Sequence, residues 1–138
     1  MKPSRFALAI FLLGGVSSVI SVAASAFAAH GASQAAIEGV SAASRIAQAA
    51  DFQMFHGLGM MLVAFISEFA ERGTPRNWMR SAAVFLGAAI VLFPGSLYWA
   101  SFGGSSVLAP VGGVSAMIGW FAFSAGVFIS LVRKRTYL

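Results

Sequence analysis

A long segment without charge in the second half of the chain constrains the fold most strongly. No charged residue occurs between Arg80 and Arg133. That segment is far longer than the roughly 20 apolar residues that one membrane-spanning helix needs, and it is long enough for two. A turn is expected near its middle, where the Gly- and Ser-rich sequence SFGGSS of residues 101–106 precedes Pro110. Because the flanking runs are continuously apolar, they predict helices rather than the alternating strands of a β-barrel.

The chain as a whole is rich in apolar residues and poor in charged ones. It has 138 residues, of which 59% are hydrophobic and 9% charged, and a mean hydropathy of +0.84. A soluble domain carries about 25% charged residues, and a chain this short cannot bury so much apolar surface in a water-soluble core. The sequence therefore predicts an all-α integral membrane four-helix bundle. It forms a single four-span domain over residues 1–138, with helices at about 6–29, 47–69, 79–99 and 110–132.

The first apolar run resembles a signal peptide, because Lys2 and Arg5 precede it and small residues with an A-x-A pattern follow. The uncharged stretch from Phe6 to Ala29 is long enough to span a bilayer, so we expect a retained helix. Every Lys and Arg except Arg45 lies before the first run, between the second and third, or after the fourth. The positive-inside rule then predicts that both termini and the loop near residues 70–80 are cytoplasmic.

With this orientation, the unusual polar residues fall in the outer half of the predicted bundle. Five of them are candidate ligand-binding residues of an outer-half polar cluster: His30, Gln53, His56, Ser96 and Tyr98. His56 needs a partner for each ring nitrogen, and the other four are the candidates. The cluster is interpreted either as a site for haem, a metal, protons, a quinone or another small molecule, or as hydrogen bonding between helices. Asp51 is interpreted as a helix-start residue favoured by the helix dipole.

Several local expectations accompany this picture. The segment between the first two spans is expected to be a mostly ordered connector, with an interfacial helix or an N-terminal extension of the second span as the alternatives. Glu68 and Arg72 are expected to form a helical ion pair near the inner interface. Pro94 should free the carbonyl of Ile90, to which the Ser96 hydroxyl can bond. No comparable polar group is expected in the inner half beyond the loop charges. Small residues four apart in the first and fourth spans, such as the pair Gly112–Ala116 and the series Ala122–Gly126–Ser130, predict close helix packing.

Four blocks of the sequence together are similar to a known family. They are SAFAAH (25–30), FQMFHGLGMMLV (52–63), LFPGSLY (92–98) and APVGGVSAMIGW (109–120). In order and spacing they resemble the signature blocks of the YgdD-like small inner-membrane proteins, a family with a domain of unknown function (DUF423). The third block departs from the family's more usual LFSGSLY at Pro94. The resemblance implies a four-span protein of the bacterial inner membrane and brings no activity, cofactor or catalytic residue.

The motifs that the sequence lacks limit the classes of function that it can have. The chain has no cysteine, no H-E-x-x-H motif and no basic stripe, so we expect neither an enzyme nor a nucleic-acid-binding protein. The first hypothesis is a small accessory or structural subunit that associates with other membrane proteins or with itself in the bilayer. The alternatives are a small homo-oligomeric transporter or channel, and a redox helper that binds a quinone or haem at His30 and His56.

Overall fold

The protein consists of four long α-helices. The structure, a computed structural model, describes residues 2–32, 36–37 and 40–136. The helices are α1 (Arg5–His30), α2 (Ala42–Phe69), α3 (Thr74–Ser101) and α4 (Ala109–Thr136). Two short antiparallel strands, β1 (Ala36–Ile37) and β2 (Val40–Ser41), join α1 to α2. All four helices are long and apolar enough to cross a membrane, which confirms the predicted all-α, four-span architecture. The small hairpin was not predicted.

Two helices begin earlier than predicted. The connector expected before residue 47 is wrong for residues 42–46, and the alternative of an N-terminal extension of the second span is confirmed, because α2 already begins at Ala42. Ser41 caps it by accepting a hydrogen bond from the Ser44 amide at 3.1 Å, and the Ala-rich sequence that follows favours helix. The third helix begins at Thr74 rather than near residue 79, after Gly73 with a positive φ of 101° and with Pro75 in its first turn. Asp51 therefore lies well inside α2 and is not a helix-start residue.

The helices pack in the order of the chain. Extensive contacts join α1 to α2, α2 to α3 and α3 to α4, so that α1 and α4 flank the central pair α2–α3. The short connections make neighbouring helices antiparallel. A core of buried side chains from α2 and α3, with Ile10 and Ala122 from the flanking helices, fills the centre. Large apolar side chains cover the outside of all four helices, as expected for surfaces that face lipid.

Small residues every seven positions form the contact between α1 and α2. The buried series are Ala7, Gly14, Ser21 and Ala28 on α1, and Ala43, Ala50, Gly57 and Ala64 on α2. A Cβ atom on Gly14 would lie 2.9 Å from the carbonyl oxygen of Gly57, so the two backbones nearly touch there. The hydroxyl of Ser21 donates to the carbonyl of Ala50 at 2.7 Å. A period of seven keeps one face of each helix towards the other, as in a left-handed coiled coil.

A second series of glycines joins α4 to α3. A Cβ on Gly119 would lie 2.9 Å from Leu86 Cδ2, and one on Gly126 would lie 3.0 Å from the carbonyl oxygen of Pro75. Gly112 is packed against the backbone of Phe93 in the same way. The predicted close packing at Gly112 and Gly126 is confirmed, whereas Gly119 was not singled out in advance. This contact positions α4 so that Trp120 lies against Gly59 of α2.

Candidate functional site

Gln53 joins three helices through its side chain. It is buried in α2, with only 4% of its surface exposed. Its Nε2 donates to the backbone carbonyl of Ser17 on α1 at 3.1 Å. Its Oε1 accepts a hydrogen bond from the hydroxyl of Tyr98 on α3 at 2.8 Å. Two of the five predicted site residues, Gln53 and Tyr98, are thus in direct contact. The two bonds of Gln53 together hold α1, α2 and α3 at one level.

His56 lies one turn further along α2, at the middle of that helix, and contacts aromatic rings. It is 7% exposed, and its Nδ1 lies 2.8 Å from the backbone carbonyl of Phe52. Because a carbonyl only accepts, the geometry places a proton on Nδ1. The imidazole stacks on Phe52 at 3.9 Å between ring centroids, with Phe55 at 5.2 Å and Trp120 at 6.2 Å. None of the predicted partner side chains bonds to it.

Ser96 bonds within its own helix. Its hydroxyl donates to the carbonyl of Phe93 at 3.1 Å, so the expected bond to the carbonyl of Ile90 is wrong. Pro94 is buried inside α3, which continues through it to Ser101. The ring of Phe93 stacks on Phe52 at 4.2 Å, which extends the aromatic group around His56 to the third helix. Ser96 therefore lies close to this group in sequence and contributes no side-chain bond to it.

His30 lies far from the other four residues of the predicted polar cluster. It is the last residue of α1 and is exposed. The close approach of Gly14 to Gly57 places His56 beside Gly14, and His30 follows sixteen residues later on the same helix. At 1.5 Å per residue that is about 24 Å. Ligand atoms must lie within about 2–2.6 Å of a bound ion, so His30 and His56 of one chain cannot share one. The expectation that they lie near each other is wrong.

A second polar cluster, which the sequence did not predict, lies at the end of the bundle where α1 begins. Glu68 of α2 accepts hydrogen bonds from the amide of Ser4 at 2.9 Å and from its hydroxyl at 2.8 Å. Arg80 of α3 lies 3.5 Å from the same carboxylate and donates to the Ser4 hydroxyl at 3.3 Å. The guanidinium also lies over the ring of Phe6, 5.2 Å from its centroid. This clamp joins the beginning of α1 to the end of α2 and the beginning of α3.

The predicted helical pair of Glu68 with Arg72 is also wrong. The helix ends at Phe69, so Arg72 does not lie one turn further on a helix face. Arg76 instead covers the end of α2, donating to the carbonyls of Glu68 at 3.0 Å and Ala70 at 2.7 Å. Cations are favoured there because the last carbonyls of a helix carry partial negative charge. No short-range sequence signal indicates these partners, since they come from other helices.

The chemistry available inside the bundle is mainly hydrogen bonding between helices. Besides Gln53 and Ser21, Ser115 of α4 donates to the carbonyl of Phe85 on α3 at 2.8 Å. Within the described ranges, no group of three or more His, Cys, Asp and Glu side chains could hold a metal ion. The ligand-binding role of the five predicted residues stays a prediction. Two of them, Gln53 and Tyr98, have a definite structural role as bond partners.

These features define a polytopic α-helical membrane protein whose spans are joined by small-residue packing and by hydrogen bonds. The chain belongs to the DUF423 family: the family model described as "Protein of unknown function (DUF423)" matches residues 24–113. The resemblance found in the four sequence blocks is therefore confirmed.

Relatives from distant bacteria match most of the chain. It is 36% identical over 121 residues to a UPF0382 membrane protein of Haemophilus influenzae, covering 86% of this chain and 92% of that protein. It is 34% identical over 134 residues to the UPF0382 inner membrane protein YgdD of Escherichia coli, covering 95% of each. The UPF0382 membrane protein YwdK of Bacillus subtilis is 32% identical over 115 residues, covering 79% of this chain and 87% of that protein. No solved structure matches the chain.

Proposed function

We propose that the chain is a small accessory subunit that acts by associating with another protein of the bacterial inner membrane, without catalysing a reaction. One observation carries this proposal. Gln53, which is buried between the helices, uses both ends of its amide for bonds to α1 and α3. A polar group occupied in this way stabilises the bundle and is not available to a substrate. What remains for function is the outer surface of the helices.

Purification from native membranes tests this proposal. A C-terminally tagged chain is extracted in mild detergent, and native mass spectrometry measures the stoichiometry of what remains bound. We expect a membrane protein at a fixed ratio to the chain, lost when detergent unfolds the bundle. Recovery of the chain alone or only with lipid, from cells grown under several conditions, would refute the accessory role.

The proposed location has both termini in the cytoplasm. The distribution of Lys and Arg supports this, with Arg45 alone on the other side of the predicted spans. The chain contains no cysteine, so single introduced cysteines report the side of each loop. We expect a membrane-impermeant maleimide to label Ser105→Cys in intact spheroplasts and to label Glu71→Cys only after lysis. The reverse pattern would contradict the orientation and leave the fold unchanged.

A second candidate, binding of a quinone, is favoured by the surroundings of His56. Its Nε2 has no partner among the residues that the structure describes. The rings of Phe52, Phe55 and Trp120 around it suit the stacking of a flat headgroup. We expect a quinone to quench tryptophan fluorescence in the purified protein, and His56→Leu to weaken that quenching. Trp120→Phe identifies the responding tryptophan, and equal quenching of wild type and His56→Leu would exclude this candidate.

A further inference from the structure

Asp51 is a charged side chain inside a membrane-spanning helix. It lies on the exposed side of α2, nine residues after the helix begins. Asp51 and Glu68, which belongs to the polar clamp at the other end of α2, are seventeen residues apart. That is about 25 Å along the helix. The hydrocarbon core of a bilayer is about 30 Å thick. With Glu68 placed at one edge of the core, Asp51 lies inside the opposite edge by about one helical turn.

The surface beside Asp51 is concave because α1 carries small residues there. One cavity of about 330 Å³ lies between Asp51 and Met54 of α2 and the outer part of α1, including Ser25 and Ala29. A second, of about 470 Å³, continues along α1 over Ser18, Val19, Val22, Ala23 and Ala26. We call the two together the Asp51 groove. Small residues of this kind allow another helix to approach closely.

Nothing in the described part of the chain neutralises Asp51. The salt bridge of the described residues joins Arg80 to Glu68, at the other end of the bundle, and no hydrogen bond to the Asp51 carboxylate is formed. Ionised side chains at this depth are unfavourable and are normally paired with an opposite charge. On α2 the next exposed large side chains towards the bilayer centre are Phe55 at 63% and Leu58 at 52%, so the carboxylate borders an apolar surface.

We propose that the Asp51 groove receives a transmembrane helix of another protein, whose Lys or Arg side chain pairs with Asp51 about one turn inside the bilayer edge. This inference rests on the proposed accessory function and names the chemistry of the partner. Charge complementarity argues for a cationic helix and against a second copy of the chain. Copies that share an orientation in the membrane are related by an axis along its normal. Such an axis brings both Asp51 carboxylates to one height, where like charges repel strongly in a medium of low dielectric constant.

Synthetic helices provide the test. The full chain, carrying a donor dye at Ser105→Cys, is reconstituted in lipid vesicles with acceptor-labelled Leu/Ala peptides of spanning length. One peptide carries a Lys one turn inside each end, which makes its insertion direction irrelevant. A second carries Leu at those positions, and a third carries a single Lys at its centre. Energy transfer at increasing peptide-to-lipid ratios gives the apparent affinity.

We expect the peptide with terminal Lys residues to bind at least tenfold more tightly than the other two. Asp51→Asn should remove that preference without changing the helical content of the chain. Ala26→Phe should block binding of the peptide by filling the groove. Ala9→Phe makes the same change at an exposed position of α1 outside the groove and should not block binding. Equal affinity for the Lys and Leu peptides, or no effect of Asp51→Asn, would overturn the proposal. Self-association of the chain that depends on Asp51 would also overturn it, since a second copy would then occupy the groove.

The two proposals fail separately. A stoichiometric native partner that stays bound to Asp51→Asn would refute pairing at the groove and leave the accessory function standing. Absence of any native partner, together with selective binding of the Lys peptide, would refute the accessory function and leave a groove with the chemistry inferred for it.

Discussion

The bond between Tyr98 and Gln53 can be measured as a coupling free energy. Tyr98→Phe removes the hydroxyl that donates to Gln53 Oε1 at 2.8 Å and leaves that oxygen in a side chain only 4% exposed. An unsatisfied buried acceptor costs about 1–3 kcal/mol in water-soluble proteins. Hydrogen bonds between membrane helices average about 0.6 kcal/mol and reach about 1.7 kcal/mol. We therefore expect Tyr98→Phe to lower the free energy of unfolding by about 1 kcal/mol.

Gln53→Leu should be more damaging, because it also removes the bond to the Ser17 carbonyl on α1. We expect a loss of about 1–2 kcal/mol from two interhelical bonds. The double variant should lose less than the sum of the two single changes, by about 0.6–1.7 kcal/mol, because the shared bond is counted twice in that sum. Ser124→Ala is the matched control: its hydroxyl bonds to Trp120 within α4, on an exposed surface.

Reversible unfolding in mixed micelles, driven by SDS and followed by circular dichroism, gives the four free energies. The control should change by less than about 0.5 kcal/mol. Single and double variants that add within about 0.3 kcal/mol would show that the two side chains do not interact. The proposed joining of α1, α2 and α3 at Gln53 would then be wrong, and with it the argument that this amide is occupied.

Three further changes test the rest of the packing. Gly126→Leu should destabilise the protein by about 1–3 kcal/mol or more, because its Cβ meets the backbone of α3, whereas Gly113→Leu, with open space around it, should melt near the wild-type temperature in detergent. Glu68→Gln should weaken the clamp with Arg80 and raise hydrogen exchange in the first turns of α1, while exchange in α4 stays unchanged. Ser21→Ala should cost about 0.6 kcal/mol by removing the bond to the α2 backbone, and an unchanged SDS midpoint would contradict that bond.

The four spans could be predicted because the length of an apolar run depends only on the sequence. Their limits could not be read from the same signal: residues 42–50 contain Ser44, Arg45 and Gln48 and are not a continuously apolar run, yet they form helix. Alanine propensity and the Ser41 cap determine the start of α2, and hydropathy does not detect them.

The candidate site was predictable only in part, because its geometry depends on the register between helices. Gln53 and Tyr98 meet although 45 residues separate them, whereas His30 and His56 lie at different heights. The sequence does contain an indication of the register between α1 and α2, since small residues recur every seven positions on both helices. A spacing of four, which the first and fourth spans also contain, does not reveal this period of seven. The clamp of Ser4, Glu68 and Arg80 joins three helix ends, and no local pattern indicates such a meeting.

The order of packing has a consequence for how the protein is made. Each helix contacts mainly the helix before it and the helix after it, so α1 and α2 can complete their contact before α3 has left the ribosome. The main packing of α1 does not depend on the last helix, because α1 makes no extensive contact with α4. Such local connectivity favours rapid assembly. Synthesis can thus add one helix at a time to a pairing already formed, and the last helix completes its contact with α3 and places Trp120 against α2.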